Sequence, residues 1–371
     1  MINWPIHRVN FEAGIGCRLK CGGCMMRHQM KPGSLSYKDM AWDRRYNIPL
    51  EKYKVIFEVF DDYEFCGNLS DPIYHPDFVK TLKYMKGKNI KVNFRTNGGG
   101  KSKEWWSNVF ELCQGENWLW TFALDGLPED SHKYRINQDG EQVWEMMKYG
   151  KELGMEILWQ WIVFNYNQDD IKEGHLLAAQ YGIDFDYYHS TRWVDDRDIG
   201  GVDMSVYKPK EEHVAIKRSE MHKQDIEFNS LMPDGKITKA QYAAGVKTED
   251  VILEAIKQSG LNPEIDPDCL NRELTKPIMF NSMGYFIPCC EKDQWVESME
   301  KRGFYQEKFH IDNLHTAEDV INVFASDTWQ DFYKGLYDDA KNAPRNCKTF
   351  CVKNRNIRNE DGSGIDLKGF V

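Results

Sequence analysis

The 371-residue chain has no basic surplus, no long apolar run, no internal repeat and no low-complexity block. Lys and Arg number 48 against 58 Asp and Glu, a net charge of −10. No basic cluster is long enough to track a phosphate backbone, so nucleic acid is not an expected partner. No apolar run approaches the roughly 20 residues that cross a bilayer, so no membrane partner is expected either. The opening Met-Ile-Asn-Trp-Pro does not have the shape of a secretion signal. With ten cysteines, this reads as a reducing, cytoplasmic setting in which thiols serve metals rather than disulfides. What the chain does have is an ordinary apolar share of 41%, enough to build the core of one large domain or two.

Three of the cysteines, Cys17, Cys21 and Cys24, form a C-x3-C-x2-C run directly after an alternating stretch in which Val9, Phe11 and Ala13 oppose Arg8, Asn10 and Glu12. That stretch predicts a strand. Three thiolates at this spacing can hold three corners of a cubane iron–sulfur cluster and leave the fourth iron without a protein ligand. An open coordination position is what separates a catalytic metal site from a structural one. Zinc is the alternative, because C-x2-C pairs are common zinc ligands and His7 and His28 flank the triplet.

From residue 6 to about residue 190, strand-like runs alternate with helical periodicities. Leu50, Tyr53, Ile56, Phe57 and Phe60 share a helical face, as do Phe78, Leu82 and Met85, and Trp106, Val109, Phe110 and Cys113. Strands are predicted over Tyr63 to Cys66, Ile90 to Thr96, Trp118 to Leu124, Ile157 to Phe164 and Ile183 to Tyr188. Six strands separated by helices imply a parallel sheet, whose ligands bind beyond the carboxyl ends of the strands. The triplet, Cys66-Gly67-Asn68, Thr96-Asn97-Gly98, Asp125-Gly126 and Asn165-Tyr166-Asn167 all follow such ends and should meet on one rim.

The triplet, with this order of elements over about half the chain, resembles the radical S-adenosylmethionine (SAM) enzymes. The resemblance implies an α/β fold with a partial (β/α)6 barrel, a [4Fe-4S] cluster on Cys17, Cys21 and Cys24, and SAM chelating the open iron. It places Gly67, Asn68, Ser70 and Asp71 in the loop that pairs with the methionine part of SAM, Thr96 and Asn97 beside the cofactor, and Asp125 against its ribose. Two departures stand out. Ser70-Asp71 replaces the family's Gly-Glu, and Gly23 replaces the bulky residue that covers the adenine, a task left to Met25 or Met26. Read without the resemblance, Ser70-Asp71 and Asp125-Gly126 are ordinary turns. Cys66 is expected as a small buried hydrophobe, Tyr187 and His189 as core or lining.

A second set lies late in the chain. Cys269 precedes Gly284 by C-x14-G, Cys289 follows by x4, and Cys347 and Cys351 form a C-x3-C pair after a helix predicted over Ala317 to Tyr337. Pro277 to Ile287 reads as a hairpin. The arrangement resembles the SPASM and twitch auxiliary-cluster regions, which implies a second [4Fe-4S] cluster on Cys269, Cys289, Cys347 and Cys351, with Cys290 competing with Cys289. A four-cysteine zinc site is the alternative. The expected organisation is a barrel over 1–195, a connecting insert over 196–268 that could cover the barrel mouth, an auxiliary domain over 269–351 and a tail over 352–371.

The resemblance implies reductive SAM cleavage and hydrogen-atom abstraction, in maturase-like oxidative modification of a peptide or protein. A small-molecule dehydrogenase or epimerase is the alternative within the class; a non-catalytic iron–sulfur or zinc protein is the alternative outside it. The electron would come from a donor such as flavodoxin or ferredoxin. No side chain is assigned as a catalytic acid, base or hydrogen donor.

Overall fold

Every segment expected as a strand between residues 6 and 190 is one in the computed structural model, which describes residues 8–24, 47–67, 69–189, 204–210, 278–289 and 296–338. Met25, Met26, Asn68, Cys269, Cys290, Cys347 and Cys351 lie outside the described residues, as do most of 196–268 and the 352–371 tail. Strands β1 (Arg8–Phe11), β2 (Asp62–Phe65), β3 (Lys91–Thr96), β4 (Trp118–Ala123), β5 (Glu156–Val163) and β6 (Asp184–His189) lie in the order 6-5-4-3-2-1, each neighbouring pair parallel. Parallel neighbours need a crossover. The connections carry helices α1 (Leu50–Tyr53), α2 (Phe78–Met85), α3 (Lys103–Cys113), α4 (Gly140–Glu152) and α5 (Ile171–Gln180). Among the described residues the sheet ends at β6 on one side without closing, the arrangement of a partial (β/α)6 barrel.

Alternation gives the sheet two unlike faces. The helix-facing side is aromatic and closed to water: Tyr63, Phe94, Trp120, Phe122, Trp159 and Trp161 are all fully buried. Trp120 is the hub. Its ring stacks on Phe94 at a centroid distance of 4.6 Å and meets Trp106 and Phe110 of α3 edge-on at 5.5 and 5.7 Å. The other side is polar. Register pairs Asn10 with Glu64, Glu64 with Asn93, Arg95 with Thr121 and Gln160 with Asp186. Arg95 pairs with Glu64 on the neighbouring strand. Its charge also acts on Tyr188, which lies on β6, three strands away. The sheet therefore curls around this polar face.

The expected hairpin is present as β7 (Ile278–Phe280) and β8 (Phe286–Ile287), antiparallel to each other. It continues the barrel sheet, β7 pairing parallel with β1 on the side away from β2. Gly284 turns the hairpin at φ 83°, a left-handed conformation that favours glycine.

Two helices depart from expectation. The run after Leu50 tightens into a 3-10 helix over Lys54–Glu58. The helix expected over Ala317 to Tyr337 is two, α7 (Ala317–Ala325) and α8 (Asp327–Asp338), after the short α6 (Val296–Lys301). Ser326 takes an extended ψ of 154° and its hydroxyl donates back to the Val323 carbonyl, which ends α7. Of the insert, Met204–Tyr207 forms a 3-10 turn whose Tyr207 carbonyl accepts from the Asn165 amide at 3.0 Å.

Trp120→Ala should cost about 3–5 kcal/mol of unfolding free energy, because it empties the centre of a fully buried aromatic cluster. Denaturant titration of wild type and variant checks this; a loss below about 1 kcal/mol would contradict the hub role.

Candidate active site at the strand ends

The cysteine loop is sewn to three neighbouring loops by hydrogen bonds among protein groups. Before Cys17, the Gly16 amide donates to the Leu69 carbonyl at 3.2 Å and the Asp71 amide donates to the Gly16 carbonyl at 2.9 Å. After it, Arg18 Nη1 donates to the Gly100 carbonyl at 3.4 Å, and the Lys20 amide donates to the Ile136 carbonyl at 3.0 Å. Asn137 Nδ2 donates to the Arg18 carbonyl at 3.5 Å. The loop thus bridges the segments that follow β2, β3 and β4, the convergence that the topology implied.

Glu12, expected on the polar side of β1's continuation, is buried at 1% exposure. Its Oε1 accepts from the Leu69 amide at 2.7 Å and the Ser70 hydroxyl at 3.0 Å. A Cβ on Gly67 would fall 2.1 Å from that oxygen, so the loop fits against Glu12 only with glycine there. Ser70 therefore faces Glu12, and the Gly67 backbone packs over the same carboxylate.

Asp71 does more than cap the Pro72–Tyr74 turn. Its Oδ1 accepts from the Ile73 amide at 3.2 Å and the Thr96 hydroxyl at 2.9 Å. Its Oδ2 accepts from the Asn97 amide at 2.6 Å and from Asn97 Nδ2. Burial pushes this carboxyl up to about 6, against the hydrogen bonds from Asn97, Thr96 and Ile73, which favour the charged form. Asn97 also points Nδ2 at Cys17 Sγ, 3.4 Å away, while its Oδ1 accepts from the Gly99 amide at 2.9 Å. Thr96 and Asn97 are buried and bonded to protein groups.

Asp125 is fully buried. Its Oδ1 accepts from the Ile162 amide at 2.8 Å, and its Oδ2 stands 2.8 Å from Arg135 Nε, off hydrogen-bond alignment. The ion pair closes the segment that follows β4, while the Ile162 bond ties it to β5. Arg135 also acts on Cys21 and Asp71. Gln138 locks the same corner, donating from Nε2 to the Asn97 carbonyl at 2.6 Å and the Ala123 carbonyl at 3.0 Å. Asn167 Oδ1 accepts from the Phe164 amide at 2.7 Å, and Asn165 Nδ2 donates to the Val206 carbonyl at 2.7 Å. Tyr134, Phe164 and Met204 form a small apolar cluster that Cys21 and Tyr207 pack against.

Burial pushes the Cys17 thiol up to about 12, with Asp71 next in effect, and the Cys21 thiol up to about 11 against the opposing charge of Arg135. Cys66, expected as a small buried side chain, is only half-buried; desolvation of its sulfur and then Glu64 push the thiol up to about 12. Tyr187 is 44% exposed, so of the two tyrosines on β6 it is Tyr188 that faces the polar interior. Cys289 follows β8 and is half-buried.

The donor set fits a metal cluster. The Leu19 amide and Asn97 Nδ2 both aim at Cys17 Sγ at 3.4 Å, and Arg135 brings a permanent positive charge to Cys21. Such partners suit sulfur that is negatively charged, as a metal-bound thiolate is. Among the described residues no group of three His, Cys, Asp or Glu side chains is drawn together to hold a single metal ion. Glu12, Tyr74, Arg135 and Gln138 were not among the expected site residues, and only Glu12 carried a signal, a carboxylate five residues before the first cysteine.

No family model and no curated protein matches the chain. Among solved structures it is similar to Streptococcus suis SuiB bound to precursor peptide SuiA, with a TM-score of 0.50 and 14% identity over 91% of this chain and 67% of that one. SuiB bound to S-adenosylmethionine gives a TM-score of 0.50 and 14% identity over 88% and 67%. A histidine-tagged anSMEcpe with bound AdoMet matches with a TM-score of 0.48 and 16% identity over 98% and 88%. The likeness to SuiB shows the fold alone, an α/β partial barrel.

Arg135→Met leaves the Asp125 carboxylate buried without its cation and should cost about 3 kcal/mol of stability. Asp71→Asn places an amide donor against Asn97 and should cost about 1–3 kcal/mol. Urea unfolding of the three proteins checks both; variants as stable as wild type would contradict the clamp.

Proposed function

We propose that this chain is a radical SAM enzyme, with a [4Fe-4S] cluster on Cys17, Cys21 and Cys24 and SAM at the remaining iron. One observation carries the reading: a three-thiol loop, held at the strand-end rim by protein hydrogen bonds, with two N–H donors at the Cys17 sulfur and a buried arginine acting on Cys21. Bound there, the cluster and SAM would supply a 5′-deoxyadenosyl radical able to take a hydrogen atom from an unactivated carbon.

The chain's own residues supply position and dryness. Glu12, Gly67, Ser70 and Asp71 fix the loop after β2 against the cysteine loop. Asp125, paired with Arg135, holds the segment after β4 against β5 through the Ile162 amide. Tyr134, Phe164, Met204 and Tyr207 wall the rim beside Cys21 and exclude water there. The polar face inside the curl, with Glu64, Arg95 and Tyr188, is the surface that a substrate would meet beyond the cofactor.

We assign the substrate as a peptide or protein and the outcome as an oxidative, maturase-like modification. The support is the shared fold with SuiB, which has been captured with its precursor peptide SuiA. Reduction would come from a small electron-carrier protein. Cys269, Cys289, Cys347 and Cys351 are proposed to hold a second [4Fe-4S] cluster; Cys289, at the end of the hairpin that extends the barrel sheet, would tie it to the core.

Anaerobic reconstitution with iron and sulfide, then dithionite and SAM, should release 5′-deoxyadenosine. Intact SAM, with zinc in the purified protein, would sink the enzyme reading. Replacing Cys17, Cys21 and Cys24 by Ala should remove about four irons per chain, abolish SAM cleavage and leave about four irons behind. Loss of all iron, or of none, would contradict two separate sites.

A further inference from the structure

The polar side chains on the inner face of the curled sheet are mostly engaged with one another. The Thr121 hydroxyl donates to Asn93 Oδ1 at 2.8 Å. The Tyr188 hydroxyl, itself bonded by Gln160, donates to Asp186 Oδ2. Arg95 differs. Its Nε donates to Glu64, its ion-pair partner, and among the described residues that is the one hydrogen bond it makes. A guanidinium carries five N–H donors, so the two Nη groups of Arg95 present four that no described protein group takes up. These donors are not sealed in a core. The Arg95 side chain is 30% exposed, although β3 lies inside the sheet between β2 and β4.

Position separates Arg95 from the other inward cations. Arg8 and Lys91 are level with Asp62 at the amino ends of their strands, and Arg8 is paired there with Asp62. Arg95 stands at the opposite end, immediately before Thr96 and Asn97, and its charge acts on Cys66, the residue before Gly67. The guanidinium therefore lies just inside the loops that form the candidate site. Donors drawn away from bulk water without acceptors cost free energy, and a ligand that supplies acceptors recovers it. The end-on edge formed by two Nη groups matches the two oxygens of a carboxylate. Glu64 already pins the side chain through Nε, so an arriving carboxylate has less ordering of a long arginine to oppose it.

We propose that Arg95 binds a carboxylate of the substrate peptide, end-on across its two Nη groups, and thereby selects peptides that carry an acidic group. This rests on the peptide-modifying function proposed above and names the chemical group that the inner face recognises.

The test presents the iron-loaded full chain, with SAM, to a synthetic random heptapeptide library made once with C-terminal acids and once with C-terminal amides. Peptides retained by wild type, Arg95→Lys, Arg95→Met and Arg95→Met/Glu64→Gln are sequenced by mass spectrometry. The double variant removes the carboxylate that Arg95→Met leaves unpaired, and its unfolding midpoint is measured beside wild type. Wild type should enrich acidic peptides about tenfold over the library, the worth of one charge-assisted fork. Arg95→Lys should keep only part of that preference, and both Met variants should lose it. Asp and Glu enriched in both libraries place the carboxylate on a side chain; retention of free acids over amides places it at the peptide's C-terminus, and either supports the site. A wild type without acidic preference, or a folded double variant with the same preference, would overturn the proposal. SAM affinity, measured by calorimetry on the same proteins, should not depend on Arg95. A loss there would give the guanidinium to SAM's own carboxylate and overturn the proposal as well. If wild type leaves SAM intact with dithionite, the proposed reaction fails, while the peptide selection still decides what Arg95 binds.

Discussion

A carboxylate taken out of water must collect hydrogen bonds or be expelled, and the strand-end rim is arranged around one that collects four. Asp71 gathers donors from its own turn and from the residues that end β3, while its amide holds the backbone just ahead of Cys17. Desolvating a charge costs several kcal/mol, and each hydrogen bond to it returns about 1.5–3, so the carboxylate is sustained only when most of the four are made together. That all-or-none character ties three loops into one unit. Glu12 repeats the device one layer down, bonding Leu69 and Ser70 from beneath. Asp125 repeats it after β4, paired with Arg135 in its own segment and bonded to the Ile162 amide of β5.

Such a polar rim can exist because the sheet does not depend on it for cohesion. The helix-facing side carries Trp106, Trp120, Phe122, Trp159 and Trp161 at full burial, each worth several kcal/mol of packing. With one face sealed this firmly, the opposite face is free to carry Glu64, Asn93, Arg95, Gln160 and Asp186, side chains that would ruin a two-sided core. The division of labour follows from strand periodicity, and it puts charge where a polar substrate would arrive.

That periodicity is why the barrel was legible in the sequence. Val92 and Phe94, or Ile157, Trp159 and Trp161, alternate plainly, and the turns that follow them mark the rim. The hairpin at Gly284 was legible for the same reason. Ser326 was not: its helix breaks through one side-chain bond inside a segment whose apolar spacing continues across the break. In the site, the cysteines declare themselves by spacing alone. Arg135 and Gln138 do not, since their partners Asp125 and Asn97 lie ten and 41 residues away and no local pattern links them. The turn reading of Ser70-Asp71 holds but is incomplete, because Asp71 caps its turn and also clamps the end of the neighbouring strand.

The thiols set a last constraint. Burial pushes the Cys17 and Cys21 thiols upward, and the cluster proposed above would have to displace their protons. Such protons are displaced most readily where the resulting thiolates already have partners, and here they do: two N–H donors at Cys17 and a guanidinium near Cys21. Because Asp71, Glu12 and Arg135 bond to protein groups rather than to a metal, the loop's path is settled before any iron arrives. Burial raises these thiols, while the Leu19 amide at Cys17 and the Arg135 charge at Cys21 act the other way and favour the charged sulfurs.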